Sequence, residues 1–217
     1  MAVKAALFDL DGTLTNTLTD IASAMNRALR LHGLEEFSVN DYRYLVGDGV
    51  RKLAERACRG RTEMEDSVRQ EYQAYYREHA QERTAPYEGV TEMLEELARE
   101  GIRLAVLSNK PHEDTCAVVA HYFPGIDFKV VRGQVEGTPV KPDPAGALAI
   151  AEAMGFQPEE FVYLGDTATD MRCAVNAGMR PIGVLWGFRT AEELLESGAQ
   201  ALIEHPSQLL GLLGLPV

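Results

Sequence analysis

The sequence predicts an α/β fold, a doubly wound parallel sheet that carries an inserted helical domain, and two observations support this prediction. Short apolar runs alternate along most of the chain with segments of helical periodicity. Such alternation is typical of βαβ units, whose parallel strands are covered by helices on both faces. Between about Thr17 and Pro86, helical patterns follow one another without a convincing strand. This interruption indicates a separate helical module directly after the first strand.

The predicted strands are short apolar runs of the kind that a buried parallel strand requires. They cover residues 5–8, 102–107, 128–131, 161–164 and 181–185. The helical patterns of the core lie between them, at residues 90–100, 112–122, 145–154 and 169–177. This order predicts a sheet whose strands end at one common edge, where ligands of open α/β sheets bind.

The inserted segment is predicted to contain four helices. In the first, apolar residues recur at helical spacing from Ile21 to Leu29, and Gly33 is expected just beyond the C-terminus. The second could begin near Ser38, and the others are expected at residues 50–58 and 64–80.

Domain boundaries follow from this pattern. Residues 1–15 and 87–217 are predicted to form the α/β core, and residues 16–86 the helical domain. The segment 86–89 is a plausible return linker, because Pro and Gly mark turns.

Composition excludes several classes of function. The 217 residues carry a formal net charge of −12, which argues against a nucleic-acid partner. The three cysteines lack CxxC spacing and are expected to be free thiols in a reducing compartment. No apolar stretch approaches the ~20 residues of a membrane span, and the N-terminal run is too short for a signal peptide. A cytoplasmic protein without a membrane partner is expected.

The most informative segment is Asp9-Leu10-Asp11-Gly12-Thr13-Leu14, directly after the first predicted strand. Residues two apart in an extended chain point the same way, so both carboxylates can extend into one site. Two carboxylates with no nearby base favour a cation placed between them and an anionic substrate. The alternative is a surface turn, because Asp and Gly are common turn residues.

Polar residues also follow other predicted strands. Ser108 and Asn109 can bind phosphate oxygens, although both also suit a helix N-cap. Lys141 lies in a stiff, proline-rich loop and is a candidate phosphate ligand, although a lone lysine is usually only solvated. Asp166 and Asp170 are one helical turn apart and could face one site, although helix capping would explain each separately. Together with the first two carboxylates, this set is what phosphoryl transfer through an acyl-phosphate requires.

Four motifs, in order along the chain, resemble those of the haloacid dehalogenase superfamily. They are DLDGTL at 9–14, LSNK at 107–110, Lys141 within VKPDP, and GDTATD at 165–170. The resemblance covers essentially the whole chain and implies a magnesium-dependent phosphatase. The helical insert resembles the mobile cap of the branch that contains phosphoglycolate phosphatases. One departure is Asn16-Thr17, where many members of that branch have Asp-Ser.

The resemblance also implies roles for individual residues. Asp9 is expected to be the nucleophile, and Asp11 to protonate the leaving alcohol and then activate water. Ser108 and Asn109 are expected to hold the phosphoryl group, while Lys141 offsets negative charge.

A second set of implied roles concerns the metal and the substrate. Mg²⁺ is expected to be held by Asp9, the backbone carbonyl of Asp11 and Asp166, while Asp170 orders the waters of the metal or completes its shell. Thr13, Gly47 and Arg51 are candidate substrate-binding residues, and Arg51 could bind a substrate carboxylate bidentately. A solvated Arg51 on a helix is the alternative.

The substrate expected by resemblance is a small phosphorylated metabolite, with 2-phosphoglycolate leading. A sugar phosphomutase, a pyrophosphatase or a nucleotidase of the same superfamily stays open, as does a phospho-aspartate signalling domain. A monomer or a homodimer is expected.

Overall fold

The computed structural model describes residues 3–215 and contains a six-stranded sheet in which every strand pairing is parallel. Its strands are β1 (Ala5–Phe8), β4 (Arg103–Pro111), β5 (Phe128–Gln134), β6 (Phe161–Gly165), β7 (Arg180–Val184) and β8 (Ala201–Ile203). Their spatial order is β5-β4-β1-β6-β7-β8, which places β1 between β4 and β6. The predicted α/β fold with a parallel sheet is confirmed.

Helices cover both faces of this sheet. They are α5 (Val90–Arg99), α6 (His112–Tyr122), α7 (Ala145–Met154), α8 (Ala168–Ala177), α9 (Ala191–Glu196) and α10 (Gln208–Leu212). Ala6 and Phe8 of β1 pack into one apolar cluster, while Ala5 and Leu7 pack into another. All four are fully buried, because successive side chains of a strand alternate between the two covered faces.

The inserted segment contains α1 (Leu18–Leu31), α2 (Tyr42–Leu45), α3 (Val50–Ala57) and α4 (Glu65–His79). These helices enclose an apolar cluster of their own. Gly33 follows α1 with a φ of +67°, as the predicted helix end requires. The second predicted helix is only four residues long, and Ser38 and Asp41 bond to each other in the turn before it.

Two short strands join the inserted segment to the sheet domain. They are β2 (Thr15–Asn16) and β3 (Ala85–Pro86), and they pair antiparallel where the chain crosses in each direction. Within this connection Asp20 is buried, and its carboxylate accepts bonds from the Thr84 amide and hydroxyl, each at 2.8 Å. The prediction that the segment from about Thr17 to Pro86 contains no strand is therefore wrong at Ala85–Pro86. A two-residue strand has no periodicity of its own and forms only because the two crossings lie side by side.

Among residues 3–215, no helix combines the length and the apolar composition needed to cross a membrane.

Candidate active site

Five of the predicted site residues lie at one edge of the sheet. Asp9 follows β1, Ser108 and Asn109 lie in the last part of β4, and Asp166 follows β6. Because β4, β1 and β6 are neighbours, these residues meet at the carboxyl ends of three adjacent strands. Asp170 reaches the same edge from the first turn of α8.

Lys141 joins two of these carboxylates. Its Nζ donates to Asp9 Oδ1 and to Asp170 Oδ1, each at 2.6 Å, and to the Leu107 carbonyl at 3.1 Å. Lys141 is only 4% exposed, so its charge is balanced by these carboxylates rather than by water. Burial alone would lower the pKa of Lys141, but Asp170 and Asp9 outweigh it and hold that pKa above its usual value. The lysine is therefore a fixed cation, not a solvated surface charge.

Burial is the main cause of a raised pKa at Asp9. The neighbouring Asp170 carboxylate raises the pKa of Asp9 further, and Lys141 opposes both effects. Lys141 occupies Oδ1, and among the described residues no side chain donates to Asp9 Oδ2. Oδ2 is therefore free of donors from these side chains, and Oδ1 keeps a second lone pair that a cation could share.

Asp170 takes part both in the capping of α8 and in the contact with Lys141. Thr167, not Asp166, is the N-cap of α8, and its hydroxyl donates to Asp170 Oδ2 at 2.6 Å. The other oxygen of Asp170 accepts from Lys141. One oxygen of Asp170 thus takes part in helix capping and the other in the acidic site. Asp166 takes no part in capping α8.

Asp166 is fully buried and held at both oxygens. Thr13 Oγ1 donates to Oδ1 at 3.3 Å, and the Phe188 amide donates to Oδ2 at 2.8 Å. Burial and the charge of Asp170 raise the pKa of Asp166 to about 7. Thr13 was predicted to bind substrate, and its observed hydroxyl contact is with this carboxylate.

The three buried acids fit a magnesium ion. Asp9, Asp166 and Asp170 each offer one oxygen, and these atoms lie within 4.8 Å of one another. Oxygens on opposite sides of a Mg²⁺ ion are ~4.2 Å apart, since each lies ~2.1 Å from the metal. Carboxylates are also the hard ligands that this ion prefers. The Asp11 side chain is not part of this group, and the predicted contribution of its backbone carbonyl stays a prediction.

Gly187 allows the backbone to lie close to Asp166, and we expect a larger residue at this position to destabilise the fold. A Cβ at Gly187 would lie 2.2 Å from Asp166 Cβ and 2.5 Å from the Gly12 carbonyl. We expect Gly187→Ala to lower the free energy of unfolding by about 1–3 kcal/mol, measured by urea denaturation. Gly211→Ala is the matched control, because nothing lies within 4 Å of its Cβ position in α10. An equal loss in both variants would contradict the close-packing explanation.

Asn109 connects the site to the inserted segment. Its amide nitrogen donates to the carbonyls of Gly47 and Lys141, each at 3.1 Å, and its oxygen accepts from the Lys141 amide at 2.9 Å. Ser108 Oγ accepts from the Lys110 amide at 3.1 Å, which leaves the Ser108 hydroxyl proton available to donate. Asn109 therefore positions the Lys141 loop, whereas Ser108 keeps a free donor.

The Asp11 carboxylate bonds to Lys110, which in turn bonds to Tyr76, and the sequence predicts neither contact. Lys110 Nζ donates to Asp11 Oδ1 at 3.1 Å and to the Tyr76 hydroxyl at 3.0 Å. Lys110 belongs to the LSNK motif at the sheet edge, whereas Tyr76 belongs to α4 of the inserted segment. No sequence signal pairs these two residues, because their contact depends on how the segment packs on the sheet domain.

Further contacts across the same boundary were also missed. Arg43 of the inserted segment donates to the carbonyls of Gly187 at 2.6 Å and Phe188 at 3.1 Å. In the reverse direction, Arg189 donates to the Val46 carbonyl at 3.0 Å. The Phe188 ring packs into the apolar cluster of the inserted segment while its amide holds Asp166. The loop around Phe188 thus touches both the segment and the acidic site.

A small inner cavity of ≈ 50 Å³ lies between the segment and the sheet edge. The sheet domain contributes polar lining residues, namely Asp9, Asp11, Ser108, Asn109 and Lys110. The segment contributes mostly apolar ones, namely Ile21, Val46, Gly47, Gly49, Val50, Leu53 and Tyr72. Gly47 therefore lines the cavity, and its substrate-binding role stays a prediction.

Arg51 lies elsewhere. It is exposed and lines an outer cavity of ≈ 700 Å³, together with residues such as Arg69 and Gln73 of α4. Pro111 lines both cavities, so the outer one adjoins the inner one. A substrate that fills only the inner cavity does not need Arg51, and the predicted carboxylate contact of Arg51 stays a prediction.

The fold and the site define a class of protein: an α/β enzyme with an acidic site at the strand ends and a buried lysine, suited to phosphoryl transfer. The chain belongs to the haloacid dehalogenase-like hydrolase family, whose sequence profile matches residues 6–184. This confirms the resemblance drawn from the four motifs. Within that family the chain is a phosphatase, as its similarity to curated phosphatases shows.

Two curated relatives illustrate this similarity. The chain is 33% identical over 190 residues to the phosphoglycolate phosphatase of Aquifex aeolicus, covering 86% of each chain. It is 28% identical to the N-acetylmuramic acid 6-phosphate phosphatase of Pseudomonas aeruginosa, covering 98% of this chain and 96% of the relative.

A solved structure agrees with these relatives. A Lactobacillus delbrueckii protein, provisionally named a phosphoglycolate phosphatase, superposes with a TM-score of 0.92 at 31% identity. The match covers 98% of this chain and 99% of that one.

Proposed function

We propose that this phosphatase hydrolyses a small phosphate monoester through a phosphorylated Asp9, with Mg²⁺ as its cofactor and 2-phosphoglycolate as its leading substrate. The observation that carries the proposal is the buried bridge from Lys141 to Asp9 and Asp170, beside a third carboxylate. A carboxylate held against a fixed cation, with one oxygen free, is an oriented nucleophile.

In the first step, Asp9 Oδ2 attacks phosphorus while the bond from phosphorus to the leaving oxygen breaks. Asp11 gives its proton to that oxygen, so the alcohol leaves as a neutral molecule. In the second step, Asp11 removes a proton from the water that attacks the phosphorus of phospho-Asp9. Phosphate departs, and the Asp9 carboxylate and the protonated Asp11 are restored.

Charge is the main obstacle to this reaction, since a phosphate dianion must approach an acidic site. Mg²⁺, when held by Asp9, Asp166 and Asp170, supplies positive charge that offsets the charge of the phosphoryl oxygens. Lys141 supplies a second positive charge, fixed by its two carboxylate contacts. Ser108 can donate its free hydroxyl proton to a phosphoryl oxygen. Asn109 would first have to release Gly47 or Lys141, because both of its amide protons are engaged.

The inserted segment, residues 16–86 by our boundaries, serves as a cap in this proposal. It covers the inner cavity with apolar side chains, which excludes water from the reacting groups. The small inner cavity, of ≈ 50 Å³, favours a small substrate over a bulky one. The names of the Aquifex aeolicus and other relatives support 2-phosphoglycolate as that substrate.

A second candidate substrate is a larger sugar phosphate. One relative is an N-acetylmuramic acid 6-phosphate phosphatase, and the outer cavity of ≈ 700 Å³ adjoins the inner one at Pro111. Arg51 lines that outer cavity and could bind a carboxylate there.

A substrate panel tests the proposal. We expect kcat/KM for 2-phosphoglycolate to exceed that for N-acetylmuramic acid 6-phosphate at least tenfold, measured as phosphate release. Chelation of metal is expected to abolish release, and added Mg²⁺ to restore it, because the three acids repel the substrate without a cation. A reversed ranking would favour the sugar phosphate. Interconversion of hexose phosphates without release would indicate a mutase instead.

A further inference from the structure

We propose that Lys110 and Tyr76 are positioning residues that orient Asp11 for proton transfer, and that the inserted segment completes this arrangement by supplying Tyr76. The inference rests on the proposed function, in which Asp11 is the general acid and base. It concerns a reaction step rather than the identity of the substrate.

The geometry brings three distant segments together. Asp11 follows β1, Lys110 lies in β4, and Tyr76 lies in α4. Lys110 Nζ bridges the other two, at 3.1 Å from Asp11 Oδ1 and 3.0 Å from the Tyr76 hydroxyl oxygen. The Lys110 side chain is 5% exposed and the Asp11 side chain 18%, so the bridge lies at the wall of the inner cavity.

A purely structural role explains this bridge poorly. A buried ion pair contributes little net stability, because desolvation offsets the attraction between its charges. Leucine or methionine of similar volume would fill the same position at no such cost. What the bridge does determine is which oxygen of Asp11 is free: Lys110 holds Oδ1, and Oδ2 is left for the proton.

Tyr76 makes the bridge depend on the cap. Tyr76 is buried, and its ring stacks on Tyr72 at 5.3 Å between ring centroids, while Tyr72 lines the inner cavity. If the segment moved away from the sheet edge, Lys110 would lose the hydroxyl that accepts its second hydrogen bond. Lys110 would then be held by Asp11 alone, and the orientation of Asp11 would be less well fixed than when the cap covers the substrate.

The consequence for the first step is specific. As Asp9 bonds to phosphorus and the leaving oxygen departs, the proton on Asp11 Oδ2 passes to that oxygen. Lys110 continues to donate to Oδ1 and stabilises the carboxylate that results. An alcohol needs this proton, whereas 4-nitrophenolate is stable without it.

The test compares leaving groups. For Lys110→Met we expect kcat/KM to fall about 10²-fold on ethyl phosphate and on 2-phosphoglycolate, as loss of general acid catalysis predicts. On 4-nitrophenyl phosphate we expect a change of less than about 5-fold, because kcat/KM reports only the steps through loss of the leaving group. Tyr76→Phe should show the same pattern with a smaller loss. Tyr75→Phe, in the same helix, is the matched control and should change neither value.

Three results are distinguishable. An equal loss on all three esters, with reduced thermal stability, would overturn the proposal in favour of a structural role. A loss on 2-phosphoglycolate alone would overturn it in favour of Lys110 as a carboxylate ligand. If the wild-type enzyme rejects 2-phosphoglycolate, the proposed substrate fails, and the comparison of ethyl with 4-nitrophenyl phosphate still tests Lys110.

Discussion

Replacement of Asp9 by asparagine is expected to reduce kcat by about 10⁴-fold or more, the scale seen when a catalytic nucleophile is removed. Asparagine keeps the shape of the side chain and can still accept from Lys141. Its amide cannot attack phosphorus, so the loss comes from chemistry rather than from packing.

The measurement is phosphate release from the best ester of the panel, with saturating Mg²⁺. Urea denaturation should show that Asp9→Asn stays folded, because the substitution removes one of several carboxylates that crowd the site. Residual activity within about tenfold of wild type would contradict the role of Asp9.

Replacement of Lys141 by methionine has the second large expected effect, and here stability and activity both change. Lys141 is the cation that pairs with Asp9 and Asp170, each at 2.6 Å. Removing one partner of a buried ion pair leaves charge uncompensated and costs about 3–5 kcal/mol. We expect a loss of that size in the free energy of unfolding without added metal, and a loss of activity of at least about 10²-fold.

Two controls separate the charge effect from simple loss of a lysine. Lys52→Met removes an exposed pair with Glu55 and should change stability by less than about 0.5 kcal/mol. Adding Asp170→Asn to Lys141→Met should recover part of the stability, since one buried carboxylate becomes neutral, but should not recover activity. A double variant no more stable than the single one would contradict the charge explanation.

The parts of the site that the sequence predicted share one physical origin. Asp9 and Asp166 follow apolar runs that could be recognised as buried strands, and parallel strands place their carboxyl ends at one edge. Their proximity follows from topology alone. Lys141 was harder to place, and the four-motif resemblance supplied the expectation that it joins them.

The parts that the sequence did not predict depend on how two regions pack together. The contacts of Lys110 with Tyr76 and of Arg43 with Gly187 cross from the inserted segment to the sheet domain. Neither residue pattern nor spacing specifies such a contact. The β8 strand was also missed, because its three residues are too few to show a period.

Arg51 shows the same limit within a single helix. Val50 and Leu53 of α3 line the inner cavity, since residues three apart share a face of a helix. Arg51 is one residue further along than Val50, about 100° around the helix axis, and lines the outer cavity. The sequence placed Arg51 on the correct helix but could not specify which cavity it faces.

The central claim is that Asp9 becomes phosphorylated, and chemical trapping of the intermediate tests it most directly. The enzyme would be mixed with 4-nitrophenyl phosphate and Mg²⁺, stopped in acid within the first turnover, reduced with borohydride and analysed by peptide mass spectrometry. We expect conversion of Asp9 to the reduced alcohol in the wild type, and no modification in Asp9→Asn. Release of nitrophenol in a first-turnover burst with Asp9 unmodified, or modification of a different residue, would contradict it.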